Sequence, residues 1–148
     1  MKFSTKGRYG LRAMIDLAVY AKAGQVALNS IADRQDISLN YLEQVFSALR
    51  KAGLVKSVKG AQGGYMLVRS PEHITAGDVL RVLEGSLSVI DEDEAEPNRE
   101  TVIRNCIRAC IWDKIDEAIN SYVDSVTLEE LARQYRKING LDDFMYFI

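Results

Sequence analysis

The segment Ser30–Val68, "SIADRQDISLNYLEQVFSALRKAGLVKSVKGAQGGYMLV", constrains the fold more than any other part of the chain, because its rhythm changes twice. Leu28, Ile31 and Ala32 recur at helical spacing and predict a short helix over 28–35, with Asn29 or Ser30 placed to cap it. Asp36-Ile37-Ser38 breaks that pattern. Ser38 then predicts the N-cap of a second helix over 39–52, whose Leu42, Val45, Phe46 and Leu49 share one face and which Gly53 ends. Beyond Gly53 the helical period stops. "LVKSVK" (54–59) and "GYMLVR" (64–69) read as strands around the flexible tip "GAQGG", and Pro71 closes the hairpin. An amphipathic helix over 8–23 precedes the segment, with Leu11, Met14, Ile15, Ala18 and Val19 on one stripe and Gly24 at its end. Helix, helix, tight break, helix and hairpin make a winged helix-turn-helix. The predicted fold class is mainly α with a small β-hairpin wing.

The remainder divides simply. Thr75 starts a helix, "TAGDVLRVLEG", that Gly85 ends, which places the winged domain at 1–85. Residues 86–98 form an acidic loop containing "DEDEAE" and Pro97. Residues 99–148 hold a long helix over 99–124, a further helix from Thr127 to about Lys137, and the tail "INGLDDFMYFI". At 1.5 Å per residue the long helix runs about 39 Å, more than a small domain covers. Its apolar residues Ile103, Ile107, Ile111, Ile115, Ile119 and Val123 recur every four positions, with Val102, Cys106 and Cys110 beside them. A second copy packed antiparallel would bury that stripe and give a two-fold homodimer with a long dimerisation helix. The alternative is a helix that wraps its own core.

Charge separates the two halves. The chain as a whole carries −2. Residues 1–85 hold 12 Lys/Arg against 7 Asp/Glu, and residues 86–148 hold 7 against 14. A basic working half beside an acidic half points to an anionic partner for the first. A reading helix must be packed on one face and polar on the other to enter a major groove about 12 Å wide. Opposite the apolar face of 39–52 lie Ser38, Asn40, Tyr41 and Gln44. Asn and Gln pair bidentately with adenine, and Tyr reaches phosphate or stacks. Arg50 and Lys51 sit where phosphates would pass. Lys56, Lys59, Gly60 and Gln62 belong to the wing, and Lys2, Ser4, Lys6 and Arg8 to the N-terminus. Across 38–62 four basic residues face one acid, Glu43. These residues form the candidate double-stranded DNA interface. A winged-helix protein-interaction module without DNA binding is the reading from another class.

Other chemistries find little support. The single histidine, His73, follows Pro71 and Glu72 in a turn and reads as a surface residue. No nucleophile–base pair or phosphate-cradling glycine loop is visible, which argues against an enzyme. No run of about 18 apolar residues predicts a membrane span, and no apolar core follows the charged N-terminus as in a secretory signal. The two cysteines, Cys106 and Cys110, suit neither a disulfide framework nor a four-ligand metal site, and place the chain in the reducing cytoplasm. At i and i+4 they are either two buried small side chains or thiols that would need further ligands to hold a metal.

"FSTKGRYGLRAMIDLA", the segment 30–65, "ITAGDVLRVLEG" and "VTLEEL" together resemble the Rrf-two family of bacterial winged-helix regulators, from Met1 to about Lys137. The resemblance implies a homodimeric transcription factor with Ser38–Arg50 as the reading helix, Tyr41 and Gln44 facing bases, Lys56–Tyr65 as the wing, and the long helix at the dimer interface. Members that sense an iron–sulfur cluster place three cysteines in and after the loop. Here only Cys106 stands at a matching place, so no cofactor is expected, with a cluster-sensing regulator as the alternative. The cysteine-metabolism branch lacks the cluster cysteines and ends in a similar tail. This implies a repressor of cysteine and sulfur genes that works through cysteine synthase, with Phe144, Met145, Tyr146, Phe147 and Ile148 as the partner-binding tail. Packing of that tail against the dimer is the alternative.

Overall fold

A computed structural model describes residues 2–21, 24–91 and 101–140. The tail Phe144–Ile148 and most of the acidic loop lie outside the described residues, as do Lys22 and Ala23 of the first predicted helix.

Helix α1 spans Thr5–Tyr20, three residues earlier than its apolar stripe predicts. The reason is its cap: the Ser4 hydroxyl accepts the Gly7 N–H at 3.2 Å. Helix α2 spans Leu28–Gln35 and α3 spans Leu39–Lys51. Neither Asn29 nor Ser30 caps α2; Ala27 occupies that position without a side-chain bond. Ser38 does cap α3, accepting the Tyr41 N–H at 3.2 Å. The break between them turns on Asp36, which adopts the left-handed conformation (φ 54°), while the Asp36 and Ile37 N–H groups both donate to the Ala32 carbonyl. Asp tolerates that region better than most side chains.

Strands β1 (Val55–Val58) and β2 (Gly64–Leu67) pair antiparallel, with Val55 opposite Leu67 and Val58 opposite Gly64. A third strand position was not legible in the sequence. Val26 and Tyr65 exchange both backbone hydrogen bonds, at 2.9 and 2.8 Å, so the segment before α2 flanks the hairpin. The close approach explains Gly64: a Cβ there would lie 2.3 Å from the Val26 carbonyl oxygen. Pro71–His73 forms a 3-10 turn with His73 on the surface, its ring bonded to the Ser70 hydroxyl at 2.8 Å.

Helix α4 (Ala76–Glu84) opens on a reciprocal capping box between Thr75 and Asp78. The long helix is present but not uniform. Helix α5 (Thr101–Ile107) continues through a π-turn, Arg108–Trp112, into α6 (Asp113–Ser125). Helix α7 (Leu128–Ile138) follows, capped by Thr127. Thr75 and Thr127 bridge, so α4 and α7 start side by side.

Helix α1 is central and packs on α4, α7, α2 and α3. Met14, Leu17, Ile31, Leu42, Val45, Phe46, Leu49, Ile74, Val79 and Leu128 are fully buried around it. The Phe46 ring meets Tyr65 of the wing at 4.8 Å between centroids, tying α3 to the hairpin. Arg81 of α4 forks onto both Asp124 oxygens, at 2.7 and 2.8 Å, and also donates to Asn120. These bonds anchor the long helix to the winged domain.

Two outcomes follow. Gly64→Ala should lower the thermal unfolding midpoint by an amount equivalent to about 1–3 kcal/mol, because the Val26 backbone cannot yield to a Cβ; circular dichroism melts measure it. The Arg81 fork holds the Asp124 carboxyl below its ordinary range. A depressed folded-state value gives stability that is present above about pH 4 and lost as pH falls through the folded-state value. Asp124→Asn should therefore flatten the melting-temperature profile below about pH 4 and leave its shape near neutrality unchanged. The loss should be small, since the pair is partly exposed.

Candidate nucleic-acid interface

Helix α3 divides by face. Leu42, Val45, Phe46 and Leu49 are fully withdrawn from solvent, while Asn40, Glu43 and Gln44 are exposed. Asn40 and Gln44 lie four apart, one above the other on the helix surface. Ser38 is exposed, but its hydroxyl is engaged as the cap. Tyr41 is half-buried, and its ring packs edge-on against Tyr9 of α1 at 5.9 Å. That contact fixes the ring at the N-terminal end of α3, where only part of it faces outward. Arg50 and Lys51 occupy the last turn of α3 and are exposed, and there the cations also favour the helix dipole.

Lys56 and Lys59 are exposed on the wing. Gly60 takes φ +123°, a conformation that L side chains rarely adopt, and the Gln62 carbonyl accepts the Gln25 side-chain amide at 2.7 Å. The wing tip is thus braced by the α1–α2 connection, a partner that the hairpin pattern alone does not reveal. At the N-terminus Lys2 and Arg8 are exposed and Lys6 is half-buried. Ser4 is committed elsewhere: besides capping α1, its hydroxyl and N–H both donate to Glu84 Oε1 at 2.7 Å.

The second candidate surface is the long helix. Residues four apart advance about 400° on an α-helix, so a strict spacing of four drifts about 40° per step. The π-turn inserts one extra residue, marked by the Asp113 N–H donating to the Arg108 carbonyl, and takes back about 100° of that drift. Ile103, Ile107, Ile111 and Ile115 remain 65%, 40%, 46% and 39% exposed, and Val102 80%. Ile119 and Val123 are half-buried. Val123 sits against Gly77 of α4, where a Cβ would come within 3.0 Å of it. The six-residue stripe therefore splits: its first four members face outward and its last turns toward the winged domain.

Cys106 and Cys110 are both exposed, not two buried small side chains. Among the described residues no group of three or more His, Cys, Asp and Glu is placed to hold a metal. With two cysteines in the whole chain, a three-cysteine set from one subunit is excluded, and the donors present do not fit a conventional cluster site. Among the described residues no helix is long and apolar enough to cross a membrane.

Helix α3 with one buried and one polar face, a basic wing and an exposed apolar helix define a winged-helix DNA-binding protein. Comparison with known proteins places it further. The Rrf2 family model, described as an iron-dependent transcriptional regulator, matches residues 3–134, and the chain belongs to that family of transcriptional regulators. It is 49% identical over 134 residues to the HTH-type transcriptional regulator CymR of Bacillus subtilis, covering 89% of this chain and 90% of that protein. It is 41% identical over 131 residues to IscR of Aliivibrio salmonicida, covering 88% and 77%. The solved structure of CymR, called in its description the global cysteine regulator of B. subtilis, superposes with a TM-score of 0.77 at 47% identity over 90% of this chain and 98% of that one.

Base-facing and phosphate-facing roles separate by measurement. Gln44→Ala should cost about 1–3 kcal/mol of affinity and relax preference at one base position. Lys59→Ala should weaken all sequences alike and reduce the slope of log affinity against log salt by about one. Fluorescence anisotropy titrations at several salt concentrations distinguish them.

Proposed function

We propose that this chain is a homodimeric repressor of cysteine and sulfur metabolism genes that reads a palindromic operator, and that cysteine synthase controls it through residues 144–148. The observation that carries the dimer is the outward row Val102, Ile103, Ile107, Ile111 and Ile115. A continuous apolar surface of this kind marks an association site, and a helix some 37 Å long has room for a copy packed antiparallel across a two-fold axis. Two reading helices would then meet half-sites about 34 Å apart, or a multiple of that. The assignment to cysteine metabolism rests on the likeness to CymR and on the missing cluster ligands. The partner assignment rests on the apolar tail, which lies outside the described residues.

The family description and the likeness to IscR favour a second reading, a regulator that senses an iron–sulfur cluster. Anaerobic purification separates the two. A colourless protein without stoichiometric iron or sulfide is expected; a brown one with both reverses the order. Gel shifts on the promoter DNA beside the gene, across a salt series, test DNA binding itself, and an absence of shift would favour a protein-interaction module. Deleting residues 144–148 should abolish co-purification with cysteine synthase and leave the dimer intact; monomers after that deletion would mean that the tail packs on the dimer instead.

The dimer has its own test. Ile111→Glu puts a charge in the centre of the apolar row and should give a monomer by sedimentation, with unchanged helical content. Operator affinity should fall by more than 100-fold, because each half-site then binds alone.

A further inference from the structure

One face of α1 is polar and aromatic, and it lies along the helix-turn-helix. Tyr9, Arg12, Asp16 and Tyr20 fall within about 80° of one another on the helix wheel. Each touches the turn or its flanks. Tyr9 packs on Tyr41 of the reading helix. The Arg12 guanidinium donates to the Gln35 carbonyl at the end of α2 and lies 5.0 Å over the Tyr9 ring. Asp16 is 2% exposed, the one buried charged residue among those described. Its carboxylate accepts Arg34 Nη2 on Oδ1 at 2.7 Å, Arg34 Nε on Oδ2 at 2.9 Å, and Gln35 Nε2 on Oδ2 at 2.9 Å. The Arg34 guanidinium in turn lies 3.9 Å over the Tyr20 ring.

All of these contacts converge on residues 34, 35 and 41, the two sides of the left-handed Asp36 turn. That turn sets the angle at which α3 leaves α2. A lone buried carboxylate is costly, and a forked arginine with an added amide offsets that cost only in one geometry. We propose that Asp16 is a positioning residue for DNA reading: through Arg34 and Gln35 it locks the α2–α3 turn, and with it the direction of the Asn40–Gln44 face, without touching DNA. It therefore governs sequence discrimination more than the phosphate-driven part of affinity. The inference rests on the DNA-binding reading above.

The test uses the full-length chain and a duplex selected by the wild-type protein from a randomised DNA pool, with a scrambled duplex of equal length and composition as control. If the wild type selects no sequence, the DNA-reading assignment fails, and this inference falls with it. If selection succeeds, Asp16→Asn should lower affinity for the selected duplex about 10- to 100-fold, leave the scrambled duplex within about two-fold, and keep the salt slope unchanged. The double variant Asp16→Asn with Arg34→Gln, which replaces the ion pair by a neutral amide pair, should regain most of the discrimination. Equal losses on both duplexes, or none on either, would overturn the proposal while leaving DNA reading intact. Should Asp16→Asn fail to fold, Arg34→Lys keeps the cation but loses the fork. It should show the same loss of discrimination in smaller degree, and full discrimination in that variant would equally overturn the proposal.

Discussion

Leu42, Val45, Phe46 and Leu49 of α3 sit with no exposed surface in the core that α3 shares with α1, α2, α4 and β1, and the placement of the remaining functional groups depends on that packing. Burying a large apolar side chain stabilises by roughly 1.5–3 kcal/mol, so these four anchor the helix by several times the worth of any polar contact on its far side. Asn40 before them and Glu43 and Gln44 among them are then left facing outward. Phe46 extends the anchor to Tyr65, which carries the wing. Helix α3 and the wing thus form one packed unit.

Glycines set the distances in this unit. A Cβ at Gly10 would lie 2.1 Å from Leu83 of α4, and one at Gly7 equally close to the Glu84 carboxylate. Their absence lets α1 and α4 approach and lets Glu84 reach Ser4. Gly64 does the same for the Val26 backbone. Gly64, which the sequence assigns only to a flexible hairpin tip, therefore has a packing role inside the protein.

The long helix joins two roles along its length. Its C-terminal half is held to α4 through Arg81, Asn120 and Asp124. Its N-terminal half offers the isoleucine row to solvent. The π-turn lies between these regions and keeps a stripe of spacing four from spiralling off one side. Cys110 lies within the turn and Cys106 just before it, so both thiols stand on the exposed stretch and not in the core.

The winged helix-turn-helix was legible in the residues, because amphipathic period, caps and turn glycines are local signals. Ser38, Thr75, Thr127, Gly53 and Gly85 mark helix ends that the structure reproduces. The exposure of the polar side of α3 was legible for the same reason, since the side opposite an apolar stripe must face outward. Contacts between distant segments were not. Nothing local in "QVALN" announces that Val26 will flank the hairpin, and Asp16 within a helical stripe looks like any solvated acid until Arg34 and Gln35 are brought to it. Tyr41 shows the same limit: its place on the outer face follows from period, but its half-burial against Tyr9 depends on how two helices cross. The sequence by itself determined which elements form and which faces are apolar, because those follow from interactions within a few residues. Only the tertiary structure decided which polar groups are spent on one another and which stay free, because burial and pairing depend on segments that meet after the chain has folded.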